Sequence, residues 1–270
     1  MVPGPVAIVG AGNMGGAIAR ALLKHLGIGQ LVLIDPQPHP DIAMAMREQG
    51  VPIHPDPAGL IARPPAIILL AVKPQAMATV APAYRPLAAS TVFLSVAAGT
   101  TLASLDAWLG GPAALVRCMP NLPASVGKSI TAGVAKPGTP ASACAAAEAL
   151  MRSVGDFVWL ETEAQIDAVT AVSGSGPAYV FHLVECLAAA ARSQGLPAGI
   201  AAILARRTVE GAGALLASSD RSPEELRISV TSPGGTTEAA LKVLMQGQRT
   251  ENLLVEAVTA ATRRSRELAG

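Results

Sequence analysis

An α/β architecture is predicted for this 270-residue chain: a doubly wound, mostly parallel sheet over residues 1–160, then an all-helical domain over residues 161–270. Three observations carry that expectation. Short apolar runs alternate with helical stretches up to about Leu160, a glycine-rich turn follows the first run, and beyond Leu160 helical periodicity takes over.

The apolar runs lie at residues 6–9, 31–34, 67–72, 92–96, 115–119, 130–134 and 157–160. Near-continuous apolarity marks strands covered on both faces. Helices are expected to begin near Asn13, Asp41, Pro74 and Leu102, with Gly27, Gly50 and Gly110-Gly111 as stops. In the second domain helical periodicity runs over residues 178–193, 198–217, 236–244 and 251–268, punctuated by Gly195-Leu196-Pro197 and by residues 219–223. Such long apolar helices leave faces that one small bundle does not cover, so pairing with a second copy is expected.

Composition narrows the function. Apolar residues make up 51% of the chain and the formal net charge is +1, with no dense Lys/Arg run, so neither nucleic acid nor an anionic membrane is an expected partner. A small-molecule substrate is expected instead. Cys118, Cys144 and Cys186 are odd in number and lack CxxC pairing, which argues against a disulfide framework and against a zinc site; no metal is expected. With no secretory pattern at the start, a cytoplasmic location is expected. Residues 86–105 contain no charged residue and are nominally long enough to cross a bilayer, but their Pro, Gly, Ser and Thr read as a buried strand followed by a turn and helix start, not a membrane span.

Gly10-Ala11-Gly12-Asn13-Met14-Gly15 has the GxGxxG spacing between a strand and a helix, the pattern of a Rossmann dinucleotide site. Gly10 allows the tight turn, Gly12 the approach of a pyrophosphate, and Gly15 close packing of helix on strand. Asp35, at the end of the second run, suits the adenosine ribose hydroxyls and favours NADH over NADPH; the plainer reading has it cap the turn before Pro36. Ala71-Val72-Lys73-Pro74 falls at the carboxyl end of a strand, where such sheets hold ligands, and Lys73 either touches cofactor or simply faces solvent. Ala97 and Asn121 occupy equivalent strand ends beside the nicotinamide, although Asn121 after Pro120 is also an ordinary turn residue.

The second glycine segment, Ser232-Pro233-Gly234-Gly235-Thr236-Thr237, leads into a helix whose free amides and positive dipole end suit a small anion, with Gly235, Thr236 and Thr237 as donors. The bland alternative is an inter-helix turn capped by Thr236. Ser173-Gly174-Ser175-Gly176-Pro177 opens another long helix, and neither serine has the setting of a hydrolase nucleophile. His182 reads as a packed or interface residue.

With GAGNMG, AVKPQ, RCMPNLPA, VSGSGPAY and VTSPGGTT in this order, the chain resembles pyrroline-5-carboxylate reductase over nearly its whole length. The resemblance implies reduction of 1-pyrroline-5-carboxylate to proline with NADH or NADPH, the last step of proline biosynthesis. It also implies a homodimer or a larger assembly of dimers built by the helical domain. The substrate carboxylate would then lie near Ser232, Gly234, Gly235, Thr236 and Thr237, with Glu163 at a position associated with substrate, although an exposed helix-start Glu is an equal competitor for that residue. Thr237 is the candidate for hydrogen-bonding the ring nitrogen. Residues 63–66 and Ile228-Ser229 depart from the family pattern and bear on the details of nicotinamide contact.

Two other classes of protein share parts of this pattern. A β-hydroxyacid dehydrogenase or another imine reductase would share the architecture, but the former calls for a lysine in the interdomain helix and residues 169–187 contain none. A non-catalytic nucleotide sensor would keep the first glycine motif and have no use for the second.

Overall fold

The computed structural model describes residues 4–27, 29–111 and 113–268. Its first compact unit spans residues up to Ser175 together with those from Ala261 onward; its second spans residues 176–260.

The first unit alternates strand and helix: β1 (Val6–Val9), α1 (Asn13–Leu22), β2 (Leu31–Ile34), α2 (Pro40–Glu48), β3 (Ile53–His54), α3 (Ala58–Ala62), β4 (Ile67–Leu70), α4 (Pro74–Val80), β5 (Val92–Ser95), α5 (Leu102–Leu109), β6 (Ala114–Met119), β7 (Ser129–Ala135), α6 (Ala141–Arg152) and β8 (Gly155–Trp159). These strands form one sheet in the order β3-β2-β1-β4-β5-β6-β7-β8. All pairings are parallel except β6 with β7.

Each of the seven apolar runs becomes a strand, because successive side chains enter opposite cores. In β1, Val6 and Ile8 join the core under α1, α2 and α6, whereas Ala7 and Val9 join the one under α4 and α5. β4 divides likewise, Ile67 and Leu69 from Ile68 and Leu70. The eighth strand, β3, has only two residues and no periodicity to betray it. The chain leaves β1 toward β2 on one side, and β4 continues on the other, so the carboxyl end of β1 is the switch point at which such sheets open a ligand crevice.

After β8 come α7 (Gln165–Val169) and a π-helical turn over Thr170–Gly174. Ser265 belongs with this unit, its Oγ donating to Asp167 Oδ1 at 2.7 Å.

The second unit begins with α8 (Gly176–Ser193) and continues through α9 (Ala198–Ala217), α10 (Pro223–Ser229), α11 (Thr236–Met245) and the larger part of α12 (Arg249–Leu268). Small residues cover its interior, Ala188, Ala201 and Ala205 among them. Large apolar side chains, including Phe181, Ile203 and Leu253, remain exposed, 58–66% in these three cases. Among the described residues no helix is long and apolar enough to cross a membrane.

Candidate active site

The crevice at the end of β1 is built by two glycines that tolerate no side chain. Gly10 sits at φ +94°, and a Cβ there would lie 2.9 Å from the Ala71 carbonyl; one at Gly15 would lie 1.9 Å from the Gly10 oxygen. This contact lets α1 start directly against the β1–β4 edge. Gly12 is different: a Cβ there would meet nothing within 4 Å. It is exposed, and no side-chain oxygen caps α1, so the first amides of the helix face open space beside Asn13, while Met14 packs against the core and Ala11 is fully buried. An uncapped helix start behind a bare glycine is a cradle for an anion, and the pyrophosphate of a dinucleotide fits it.

The Asp35 carboxylate makes the turn-capping contact and a longer-range one besides. Its Oδ2 accepts the Ala11 N–H at 2.6 Å, and its Oδ1 accepts the Gln37 N–H at 2.8 Å, so it caps its own turn and also ties the end of β2 to the glycine loop. Cavities of about 270 and 360 Å³ flank this loop, the first bordered by Gly12 and Asn13, the second by Gly10, Asp35 and Val72. A larger cleft, about 720 Å³, lies at the other end of α1 beside Arg20, Lys24, Lys128 and Arg152. Two of those cations sit in the last turns of α1 and α6, where the helix dipole favours positive charge without any ligand.

Ala71 and Val72 follow β4 beside Gly10; Lys73 precedes α4, exposed, and Pro74 begins that helix. Ala97 is buried, its N–H donating to Ser95 Oγ at 3.3 Å. Asn121 is 8% exposed and its side chain is engaged inside the protein. Its Nδ2 donates to the Ser173 carbonyl at 3.1 Å, and its Oδ1 accepts from Ser129 Oγ and the Ile130 N–H, both at 3.1 Å. It thereby clasps the π-helical turn, whose altered backbone register leaves a carbonyl to satisfy.

Glu163 Oε1 accepts from Arg117 at 2.6 Å and from the Leu102 N–H at 2.8 Å. Sequence reasoning missed Arg117, although a cation inside an otherwise apolar strand signals a buried partner. It also missed Asp56 and Tyr84, which line the 360 Å³ cavity. Burial, then the nearby Asp56 charge, raise the Tyr84 pKa above its ordinary value. Burial alone pushes the Cys118 thiol up to about 12.

In the second unit, Ser232–Gly235 form the turn before α11. The Gly234 N–H donates to Glu238 Oε2 at 2.7 Å, and the Gly235 N–H donates to the Ser232 carbonyl at 3.0 Å. The Gly235 amide therefore closes the turn rather than facing an external anion. No side-chain oxygen caps α11, leaving the Thr236 and Thr237 amides as its open first-turn donors. Among the described residues no group of three His, Cys, Asp or Glu is placed to hold a metal ion.

A doubly wound sheet with a bare glycine turn at its switch point, followed by a helical unit with an anion-ready turn, defines a two-part dinucleotide-dependent oxidoreductase. The comparisons with known proteins refine that class. Residues 163–268 match the family model "Pyrroline-5-carboxylate reductase dimerisation", and residues 5–99 match "NADP oxidoreductase coenzyme F420-dependent". The chain is 41% identical to the pyrroline-5-carboxylate reductase of Pseudomonas aeruginosa, over 98% of this chain and 96% of that one. Among solved structures, a pyrroline-5-carboxylate reductase from Coxiella burnetii superposes with a TM-score of 0.92 at 33% identity, covering 99% of each chain. The Plasmodium falciparum enzyme with NADP bound gives 0.83 at 25% identity, covering 100% of each. The chain belongs to the pyrroline-5-carboxylate reductase family.

Proposed function

We propose that this protein reduces 1-pyrroline-5-carboxylate to proline, the closing step of proline biosynthesis, in the cytoplasm and as a homodimer or a larger assembly of dimers. The observation that carries this reading is the near-full-length identity to a named reductase, joined to two uncapped helix starts, α1 after Gly12 and α11 after Gly235. NAD(P)H, when bound, supplies the hydride that adds to the ring carbon of the C=N bond.

The residues divide the remaining work. Gly10, Ala11, Gly12, Asn13, Met14 and Gly15 hold the pyrophosphate on the α1 amides, Asp35 holds the adenosine ribose, and Ala71, Val72, Lys73, Pro74, Ala97 and Asn121 border the cofactor along the strand ends. The Thr236 and Thr237 amides, set in the turn formed by Ser232, Gly234 and Gly235, fix the substrate carboxylate, an interaction worth about 0.3–2 kcal/mol. Glu163 stands at the position that the family resemblance associates with substrate. Thr237 hydrogen-bonds the ring nitrogen. A hydroxyl is too weak an acid to protonate much imine by itself, so the proton arrives with the protonated substrate or through water. Orientation then supplies most of the rate. Residues 161–270 serve as the substrate-binding and dimerisation part, and the apolar side chains exposed on α8, α9 and α12 support the pairing.

The test is oxidation of NADH and of NADPH in the presence of pyrroline-5-carboxylate, with proline measured directly. Proline formed in step with coenzyme loss is expected. Coenzyme binding without proline formation, with correctly folded protein, overturns the reading.

A further inference from the structure

The 360 Å³ cavity beside Gly10 has an uncommon charge pattern. Its walls are apolar, Val9, Ile34, Val72 and Val80 among them, and its charged lining residues are Asp35 and Asp56; no Lys, Arg or His among the described residues lines it. The two carboxylates are brought together by the sheet. β3 pairs with β2 in parallel, Ile34 opposite His54, and the Asp35 N–H donates to the His54 carbonyl at 2.9 Å. Asp56 follows His54 by two residues and so emerges at the same sheet edge as Asp35. Its position is fixed, because Asp56 Oδ1 accepts the Ala58 N–H at 2.9 Å.

With a pyrophosphate on the α1 amides, the adenosine ribose lies at the end of β2, beside these carboxylates. Ribose hydroxyls donate hydrogen bonds, which carboxylates accept. A 2′-phosphate carries close to two negative charges at neutral pH and offers only acceptors, so both carboxylates repel it. The Asp56 charge is felt within the cavity, since it helps hold the buried Tyr84 phenol protonated.

We propose that Asp56 is a second specificity-determining residue, acting with Asp35 to select a dinucleotide without a 2′-phosphate, so that this protein takes NADH in preference to NADPH. The inference rests on the reading of the chain as a dinucleotide-dependent reductase.

Binding alone tests it, with no imine present. Dissociation constants for NADH and NADPH are measured by coenzyme fluorescence on the wild-type protein and on Asp56→Asn, which keeps the oxygen that caps Ala58. NADH is expected to bind about tenfold or more tightly than NADPH in the wild type at low salt. Asp56→Asn is expected to tighten NADPH about threefold or more and to lower the NADH-to-NADPH preference by at least that factor, with the wild-type preference narrowing as salt is raised. Asp56→Ser, which also retains a capping oxygen, repeats the measurement in case the first variant melts early. An unchanged NADH-to-NADPH ratio in both folded variants, or a wild-type preference for NADPH, overturns the proposal. Failure of the wild type to bind either coenzyme overturns the reductase reading itself, and this inference with it.

Discussion

The Asp35 carboxylate accepts the Ala11 N–H at 2.6 Å across 24 residues of sequence, so the acid at the end of β2 also holds the glycine turn after β1 in shape. A charged hydrogen bond of this kind contributes about 1.5–3 kcal/mol when shielded, and less at a half-exposed site such as this. Asp35→Ala is therefore expected to lower unfolding stability by about 1 kcal/mol and to weaken NADH binding about tenfold or more. Urea unfolding and coenzyme fluorescence on the same preparation check both. Loss of binding with stability intact would assign Asp35 to the ribose alone.

Gly12 and Gly15 are expected to behave oppositely when replaced by alanine. At Gly15 the new methyl would stand 1.9 Å from a backbone oxygen, so the α1 start must shift; a loss of about 2 kcal/mol or more is expected, along with coenzyme binding. At Gly12 the methyl meets only open space, and the backbone is in the extended region at φ −77°. Gly12→Ala is expected to melt within a degree or two of wild type, roughly, yet to lose coenzyme affinity, because the methyl stands where the pyrophosphate must approach. Thermal melts with and without NADH separate the two effects.

Arg117 is buried in β6, its side chain 5% exposed, and Glu163 supplies its ion pair. Removing one partner of such a pair leaves an uncompensated charge, at a cost of about 3–5 kcal/mol when both are fully buried. Glu163 is itself 29% exposed, which brings the expectation for Glu163→Gln to about 2 kcal/mol. Arg117→Met combined with Glu163→Gln should recover part of that loss, as a double-mutant cycle in urea would measure. Additive losses would show that the pair contributes no coupling.

Most of the sheet was legible because a strand covered on both faces must be apolar throughout, as Ile67–Leu70 is. β3 was not, since two residues carry no pattern, and with it went Asp56, whose Pro55-Asp56-Pro57 setting reads as an ordinary turn. α6, an alanine-rich helix over Ala141–Arg152, also escaped, because alanine marks no apolar stripe. At the site, spacing located the glycine turn and both helix starts. It did not reveal that Asn121 spends its amide on Ser173, or that the Gly235 amide closes its own turn. Those bonds depend on which distant backbone groups need a partner.

Thr237 stands in the first turn of α11 with a hydroxyl and a free amide. If the hydroxyl only orients the ring nitrogen, Thr237→Ala should lower kcat about tenfold, leave NADH affinity unchanged and keep measurable turnover. Thr237→Ser, which restores the hydroxyl, should recover most of the rate. Complete inactivity of a folded, coenzyme-binding Thr237→Ala protein would give this hydroxyl an indispensable role instead.

Stability should fall in alkali, and the sign follows from Cys118. Its thiol pKa rises from 9.0 to about 12 in the folded protein because burial disfavours the thiolate. Between those values the unfolded chain has released the proton and the folded one has kept it, so unfolding becomes easier as pH rises through this window. The contribution is fully present below pH 9 and is lost progressively toward pH 12. Tyr84 is shifted in the same direction, by burial first and Asp56 second, and adds to the loss above its ordinary range. Each unit between the two pKa values corresponds to about 1.4 kcal/mol, so a decline of about 2 kcal/mol from Cys118 is expected between pH 8 and about 10.5. Urea unfolding at the two pH values measures it, and Cys118→Ala should remove that part of the slope; an equal slope in the variant would place its origin elsewhere.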